Sequence, residues 1–297
     1  MSIVERGTNL YRTLRVAVSD MGVLSVVIDA PPMNLIGPEL VRDLVRLLGE
    51  VESGQDVRVM VLESADPEYF APHVDLTKVA EYTAEAAKTG GPDDASLGML
   101  WHKLSELPVV SIAKLRGRAR GAGSELALAC DIRFAARENA VLGQIEVGVG
   151  TTPGAGGVQH LARLLGRGRA MEASLGADDF DAEDAERYGW INRALPDAEL
   201  DAFVARLARR IVSFPAEAVQ SAKRVLNELT LPGADAIRAD ARRFRQLVVS
   251  ETAQARTAAL FTQGLQTRGP LELDLGDHIG ALQQKHGRDN AGRQTNG

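Results

Sequence analysis

Two glutamates in this chain combine residue type and setting for proton-transfer chemistry. Glu125 lies in Gly121-Ala-Gly-Ser-Glu-Leu-Ala-Leu-Ala and Glu146 in Gly143-Gln-Ile-Glu-Val-Gly. Neither has an acidic neighbour, and both stand among glycines, which let backbone turn sharply or approach a ligand closely. The pattern puts Glu125 in the first turn of a helix and Glu146 in a turn. Each also has a plain explanation, since a carboxylate in a first helical turn complements the helix dipole and a turn glutamate is ordinarily solvated. The helix start beyond Ala122 adds free backbone N–H groups, the raw material of an oxyanion hole. Other patterns fail on spacing. Gly121-Ala122-Gly123 opens like a dinucleotide fingerprint, but Leu126 stands where a small residue is required. Gly154-Ala155-Gly156-Gly157 lacks the Gly-Lys-Ser/Thr of a phosphate loop. Ser124 has Ala122 and Leu126 where a nucleophile elbow has glycines. The histidines at 73, 102, 160, 278 and 286 show no metal-ligand spacing and the single Cys130 cannot supplement them, so no metal site is expected.

The elements that must hold these residues alternate between two periods. Leu14, Val16 and Val18, then the apolar run 23 to 28, read as strands joined at Asp20-Met21-Gly22. Leu40, Val41, Leu44, Leu47, Leu48 and Val51 recur at helical spacing after Pro38, and residues 57 to 62 follow as a buried strand. Leu97, Leu100, Trp101 and Leu104 mark another helix, and residues 109 to 115 another strand. Residues 81 to 95, centred on Gly90-Gly91-Pro92, read as a mobile loop of the kind that covers a site. The pattern predicts an α/β core of strands and helices at 10 to 195, a helical region at 196 to 270 and a disordered tail at 276 to 297.

Composition sets the outer limits. The 297 residues are 45% hydrophobic and 25% charged, values of an ordinary globular chain. Lys+Arg 34 against Asp+Glu 40 leaves a net charge of -6, so no global positive field exists to hold nucleic acid or an anionic membrane. No apolar stretch approaches the roughly 20 residues that span a bilayer, and the first ten residues carry Glu5 and no long apolar run. One cysteine cannot form an internal disulfide, and a cytoplasmic location is expected.

Residues 109 to 165, with Arg-Gly-Ala-Gly-Ser-Glu-Leu-Ala-Leu-Ala-Cys-Asp, then Gly-Gln-Ile-Glu-Val-Gly-Val-Gly and Pro-Gly-Ala-Gly-Gly, resemble the enoyl-CoA hydratase/isomerase (crotonase) family. The likeness runs from about 14 to 230, including Pro32-Met33-Asn34-Leu35 and Asp181-Ala-Glu-Asp-Ala-Glu-Arg-Tyr-Gly. It implies a crotonase-like ββα spiral core, a C-terminal helical trimerisation region, a homotrimer or dimer of trimers, and an acyl-CoA thioester substrate. No cofactor is implied beyond that coenzyme A. Carried over by position, Glu125 and Glu146 fall on the two carboxylates of true hydratases, and Val74 and Ala122 on the two oxyanion-hole N–H donors. Ala71, His73, Asp75, Gly121, Gly123 and Gly148 fall at the substrate. Retention of both acids favours hydration of a 2-enoyl-CoA over the alternatives of double-bond isomerisation, thioester or carbon-carbon hydrolysis, or a non-catalytic binding role. The chain departs from the family in reading His73-Val74-Asp75 where Gly-Ala-Asp is usual. Positive φ at position 73 would strain a histidine, Val74 would narrow the acyl pocket, and Asp75 reads as a helix N-cap. Arg268 is the cation nearest the position of a family lysine that meets the CoA phosphates.

Overall fold

The computed structural model describes residues 10–90, 94 and 96–282. β1 (Leu14–Val18) pairs antiparallel with β2 (Val23–Ile28), and α1 (Pro38–Ser53) follows with proline in its first turn, where no N–H is needed. α1 buries Leu40, Val41, Leu44, Leu47, Leu48 and Val51 along one face. Val59 to Leu62 of β3 (Val59–Ser64) are all buried, as expected of a strand inside a covered parallel sheet. From here consecutive strands join different sheets. β3, β5 (Val110–Leu115) and β7 (Ile132–Ala136) enter a larger sheet, while β4 (Tyr69–Ala71), β6 (Arg118–Arg120) and β8 (Val141–Gly143) enter a smaller one. β9 (Asp179–Asp181) and β10 (Arg193–Leu195) complete the two, giving orders β1-β2-β3-β5-β7-β10 and β4-β6-β8-β9. Among the described residues, only β1 with β2 and β8 with β9 run antiparallel.

Helices return the chain after each pair of strands: α2 (Val79–Ala86) and α3 (Leu97–Glu106), then α4 (Ala122–Ala129), then α5 (Gly157–Leu165) and α6 (Arg167–Gly176). Strand, strand, helix is thus the repeating turn of a spiral. α7 (Ala182–Tyr188) links β9 to β10. Asn34 fastens the first turn, accepting from the Ala30 N–H at 2.8 Å and donating to Ser64 Oγ at 2.8 Å and the Tyr69 carbonyl at 3.1 Å. The main core fills the space between the sheets and these helices, with Trp101 and Trp190 sealed inside. Cys130 is buried there too, and burial pushes its thiol up to about 12, so it behaves as a small core residue.

α8 (Asp197–Val212) covers the other face of the larger sheet, packing Leu200, Val204, Ala208 and Val212 on Val59, Val61, Ile112 and Phe134. α9 (Ala216–Thr230), α10 (Ala234–Val248), α11 (Glu251–Phe261) and α12 (Pro270–Leu273) follow. A third apolar cluster joins Ile145, beside Glu146, to Leu260, Leu265, Leu271, Leu275, Ile279 and Leu282.

Part of the expected mobile loop and the start of the expected disordered tail are helical instead. Of residues 81 to 95, those to 86 lie in α2 and 87 to 89 form a 3-10 turn, because Tyr82 and Ala86 have a core to enter; residues 91 to 93 and 95 lie outside the described ones. Of the tail 276 to 297, residues 276 to 282 continue a helix whose Ile279 and Leu282 are buried, and the rest lies outside the described residues.

One close approach governs how α4 meets the smaller sheet. A Cβ on Gly123 would lie 1.8 Å from the Ala71 carbonyl oxygen, which no side-chain adjustment relieves. Gly49, within α1, has nothing within 4 Å of the same position. Gly123→Ala is expected to destabilise the fold by about 3 kcal/mol or more, whereas Gly49→Ala stabilises it by about 0.5–1 kcal/mol. Thermal midpoints of the two variants check this, and equal midpoints would contradict the packing described.

Candidate active site

β6 ends against Glu146 and α4 begins there. The junction residue, Gly121, takes φ +50° and ψ -126°, a conformation that a side chain would strain, and its missing Cβ would stand 3.1 Å from Glu146 Oε1. Its N–H donates to the Gly143 carbonyl at 2.9 Å, holding the turn to β8. The result is a cavity of about 450 Å³ between α2, α4, the turn after β8 and the C-terminal helices.

Glu125 and Glu146 both line this cavity and are only 2% and 8% exposed. Glu125 Oε1 accepts from the N–H groups of Ala155 at 2.9 Å and Gly157 at 2.8 Å. Its Oε2 receives no hydrogen bond among the described residues, which leaves that oxygen to the cavity. Glu146 is gripped by Gln144, whose Nε2 donates to Oε1 at 3.0 Å and Oε2 at 2.9 Å. The Glu146 carbonyl accepts from Val149 and Thr151, closing the turn. Burial raises the pKa of both carboxyls. For Glu125 the charge of Glu146 adds to the rise, and the Gly157 and Ala155 N–H groups oppose it. For Glu146 the bonds from Gln144 and the charge of His73 oppose it in part. The pair therefore retains a proton at a pH where solvated carboxylates have none.

Two backbone donors face the same space. Val74 sits on a parallel bridge to Ile36, in which the Ile36 N–H donates to the His73 carbonyl at 3.0 Å and the Asp75 N–H to the Ile36 carbonyl at 3.1 Å. That pattern leaves the Val74 N–H with no partner among the described residues. Ala122 is the first residue of α4, so its N–H has no intrahelical acceptor, and none is supplied from elsewhere among the described residues. Both residues line the cavity.

Of the residues singled out from sequence, His73, Val74, Gly121, Ala122, Glu125 and Glu146 converge on the cavity, and four do not line it. Ala71 and Gly123 are spent on the contact between β4 and α4. Gly148 packs beneath Ile279, whose Cγ2 a Cβ would meet at 2.3 Å. Asp75 closes a local turn, accepting from the Thr77 N–H at 3.0 Å, while the residue preceding α2 is Lys78, so Asp75 is not a helix cap. His73 has no positive φ and carries no backbone strain. It is buried, with Nε2 on Glu272 Oε1 at 3.0 Å. Arg268 bonds to Asp66, Glu68 and the Pro32 carbonyl, and so is neutralised by acids of its own chain. Ser124 is fully buried and lies outside the cavity lining. Among the described residues no three His, Cys, Asp or Glu side chains converge as a metal site requires, and no helix is long and apolar enough to cross a membrane.

Sequence reasoning missed the apolar wall. Val79 and Tyr82 on α2, Leu97 on α3, and Phe244 and Val248 on α10 line the cavity opposite the acids. A signal was present in Val79, Tyr82 and Ala86, which follow a helical period. None existed for α10, whose approach to α3 is set by the whole chain.

The chain matches the sequence profile of the enoyl-CoA hydratase/isomerase family over residues 19–266, and it belongs to that family. It is 35% identical over 207 residues to the short-chain-enoyl-CoA hydratase of Clostridium acetobutylicum, covering 69% of this chain and 77% of that one. To the crotonyl-CoA hydratase of Syntrophomonas wolfei it is 34% identical over 199 residues, 66% of this chain and 74% of the other. The solved structure of a candidate enoyl-CoA hydratase from Streptomyces avermitilis superposes with a TM-score of 0.90 at 63% identity, over 91% of this chain and 97% of that one. An enoyl-CoA hydratase structure from Mycobacterium avium subsp. paratuberculosis gives 0.74 at 25% identity, over 85% and 97%. The spiral described above is the crotonase fold.

The electrostatics carry a stability consequence. Folding raises both carboxyl pKa values above the unfolded value of about 4.3, so their contribution favours the folded state below that pH and is lost as pH rises through the raised values. Glu125→Gln removes the penalty. Its thermal midpoint should exceed that of the parent at pH 8, by about 1–2 kcal/mol in stability, and the gap should close toward pH 4.5. A gap independent of pH would show that the carboxyl is not held above its ordinary value.

Proposed function

We propose that this protein is an enoyl-CoA hydratase, adding water across the C2=C3 bond of a 2-enoyl-CoA thioester. The observation that carries the reading is a pair of buried carboxyls, both raised above the ordinary carboxylate range, lining the same cavity as two unpartnered backbone N–H groups. Hydration needs those parts. The thioester oxygen would lie between the N–H groups of Val74 and Ala122, which stabilise the enolate charge developing as water attacks C3, each donor typically worth about 3 kcal/mol. The pair reacts from the arrangement in which Glu146 holds the shared proton, and Glu125, raised further by its neighbour's charge, is the stronger base; its Oε2, free toward the cavity, takes a proton from the attacking water. Glu146, carrying the shared proton, delivers it to C2. Water contributes OH to C3, C2 gains a proton, and proton exchange within the pair restores the starting state. An isomerase or hydrolase needs one such acid, and the second favours hydration.

Coenzyme A enters as part of the substrate, and members of this class need no other cofactor. The apolar wall of Val79, Tyr82, Leu97, Phe244 and Val248 suits an aliphatic acyl chain. Leu226, Leu229 and Val249 are 60%, 76% and 71% exposed, apolar surface that a homotrimer or dimer of trimers would cover. Sedimentation should then give a mass that is a multiple of three of the 31.8 kDa chain, and a monomer would remove that assembly.

The test of function is loss of the conjugated enoyl-thioester absorbance with crotonyl-CoA and a longer 2-enoyl-CoA. Glu125→Gln and Glu146→Gln should each lower kcat by about 10² or more. The pH profile of kcat should be bell-shaped, because lower pH protonates both acids and higher pH ionises both. A folded protein that turns over neither thioester would overturn the hydratase reading and leave isomerase or hydrolase chemistry.

A further inference from the structure

His73 and Glu272 come together from positions 199 residues apart, and both are buried. The histidine ring has two polar contacts, and both are acceptors. Nδ1 lies 2.9 Å from the Val74 carbonyl oxygen, and Nε2 lies 3.0 and 3.2 Å from the two Glu272 carboxyl oxygens. A carbonyl cannot donate, so Nδ1 must carry a proton. Glu272 Oε1 also accepts from the Gln266 backbone N–H at 2.6 Å, and the pair holds the imidazole above and the carboxyl below their ordinary values, which places the second proton on Nε2. The ring is then an imidazolium paired with a carboxylate.

The same contacts converge on the peptide unit between Val74 and Asp75, across the Val74 Cα from the plane that carries the Val74 N–H. Its carbonyl accepts from His73 Nδ1 and, at 2.9 Å, from Gln266 Nε2. Gln266 has φ +66°, a conformation unusual for a side-chain-bearing residue, and it is held there by its backbone bond to Glu272 and its side-chain bond to Val74. Arg120, fully buried, donates from Nη1 to the Glu272 carbonyl at 2.7 Å and pairs with Asp179 at 2.6 Å, which anchors α12 to the smaller sheet. His73 also lines the cavity that Glu146 lines.

We propose that the buried His73–Glu272 ion pair is a positioning device for the reaction, holding Val74 by its carbonyl, one Cα away from the peptide plane that carries its N–H, and setting a positive charge beside Glu146. The inference rests on the hydratase reading. His73 is a positioning residue, acting through Val74 and Glu146. The charged groups facing it are Glu272 on α12, Arg120 on β6 and Glu146 in the turn after β8. Burial opposes the charge on His73, and Glu272 overrides it, holding the imidazole above its ordinary value. Burial likewise opposes the charge on Glu272, and His73 overrides it, holding that carboxyl below its ordinary value. Arg120 works against the histidine charge and for the glutamate charge. The histidine charge in turn lowers the pKa of Glu146.

The experiment compares His73→Gln, Glu272→Gln and the double variant with the parent, reading kcat, KM and the pH profile of crotonyl-CoA hydration. His73→Gln should lower kcat about tenfold with little change in KM, and move the pH profile upward by about one unit, since the charge that lowers the pKa of Glu146 is gone. Glu272→Gln should move it the same way, because a buried imidazole without its carboxylate loses its proton. The double variant should lose no more than His73→Gln alone, the mark of a coupled pair. It also leaves no unpaired buried charge, so it serves if a single variant fails to fold. Nitrogen-15 NMR of the parent should find both ring nitrogens of His73 protonated at pH 7.5. A neutral ring, or a folded His73→Gln or double variant with the parent's kcat and pH profile, would overturn the inference alone. A parent that hydrates no enoyl-CoA removes the hydratase reading and this inference with it.

Discussion

Two carboxyl groups that would each be ionised and solvated at the surface are buried beside one cavity, and the rest of the site is arranged around keeping them there. Burial raises both pKa values, and the charge of Glu146 adds to the rise at Glu125, so a proton stays with the pair. Holding such a pair demands backbone that approaches closely on every side. Gly121 gives up its side chain and its ordinary conformation so that the chain can pass Glu146. Gly157 leaves out its side chain beside Glu125, where a Cβ would stand 2.9 Å from Oε1. Two of the glycines that mark this stretch of sequence thus make room for the buried carboxyls. Isolated from water, they are available to a substrate and unfavourable to the fold, the usual tension between an active site and its scaffold.

What the sequence made legible was whatever is written locally. The 3.6 and 2.0 periods placed β1, β2, β3 and β5 and the helices α1, α3, α8 and α9, because one face of each is a contiguous apolar pattern, while the short strands of the smaller sheet carried no such pattern. Glu125 and Glu146 stood out since their glycine settings lie within a few residues of each. The reading failed where a neighbour distant in the chain decides the outcome. Residues 81 to 89 are polar enough to pass for a loop, and only the cavity side of α2 shows why Tyr82 is buried. The tail carried a signal that was passed over, Leu275, Ile279 and Leu282 at helical spacing. Glu272 carried none, being one acid in Pro-Leu-Glu-Leu until the chain folds back onto His73.

The substitution of His73-Val74-Asp75 for the usual Gly-Ala-Asp changes how that loop is held and keeps its free N–H. A glycine could reach the required shape by its own freedom, whereas this loop is gripped from outside by Ile36, Gln266 and Glu272. The C-terminal segment is therefore part of the site's construction. Gly148, read first as a substrate contact, belongs to the same arrangement, since it admits Ile279 from the final helical segment against the turn that carries Glu146.

The apolar end of the cavity is walled by residues 76 to 83 and by α10, while the acids and N–H donors belong to α4, the loop after β4 and the turn after β8. The far end of the cavity is thus walled partly by helices inside the spiral, α2 and α3, and partly by α10, added after it, and neither part carries the acids. Such a division lets mutation reshape the part that grips an acyl tail while the part that moves protons stays intact. A single ancestral chemistry can in this way diversify its range of substrates without being invented again.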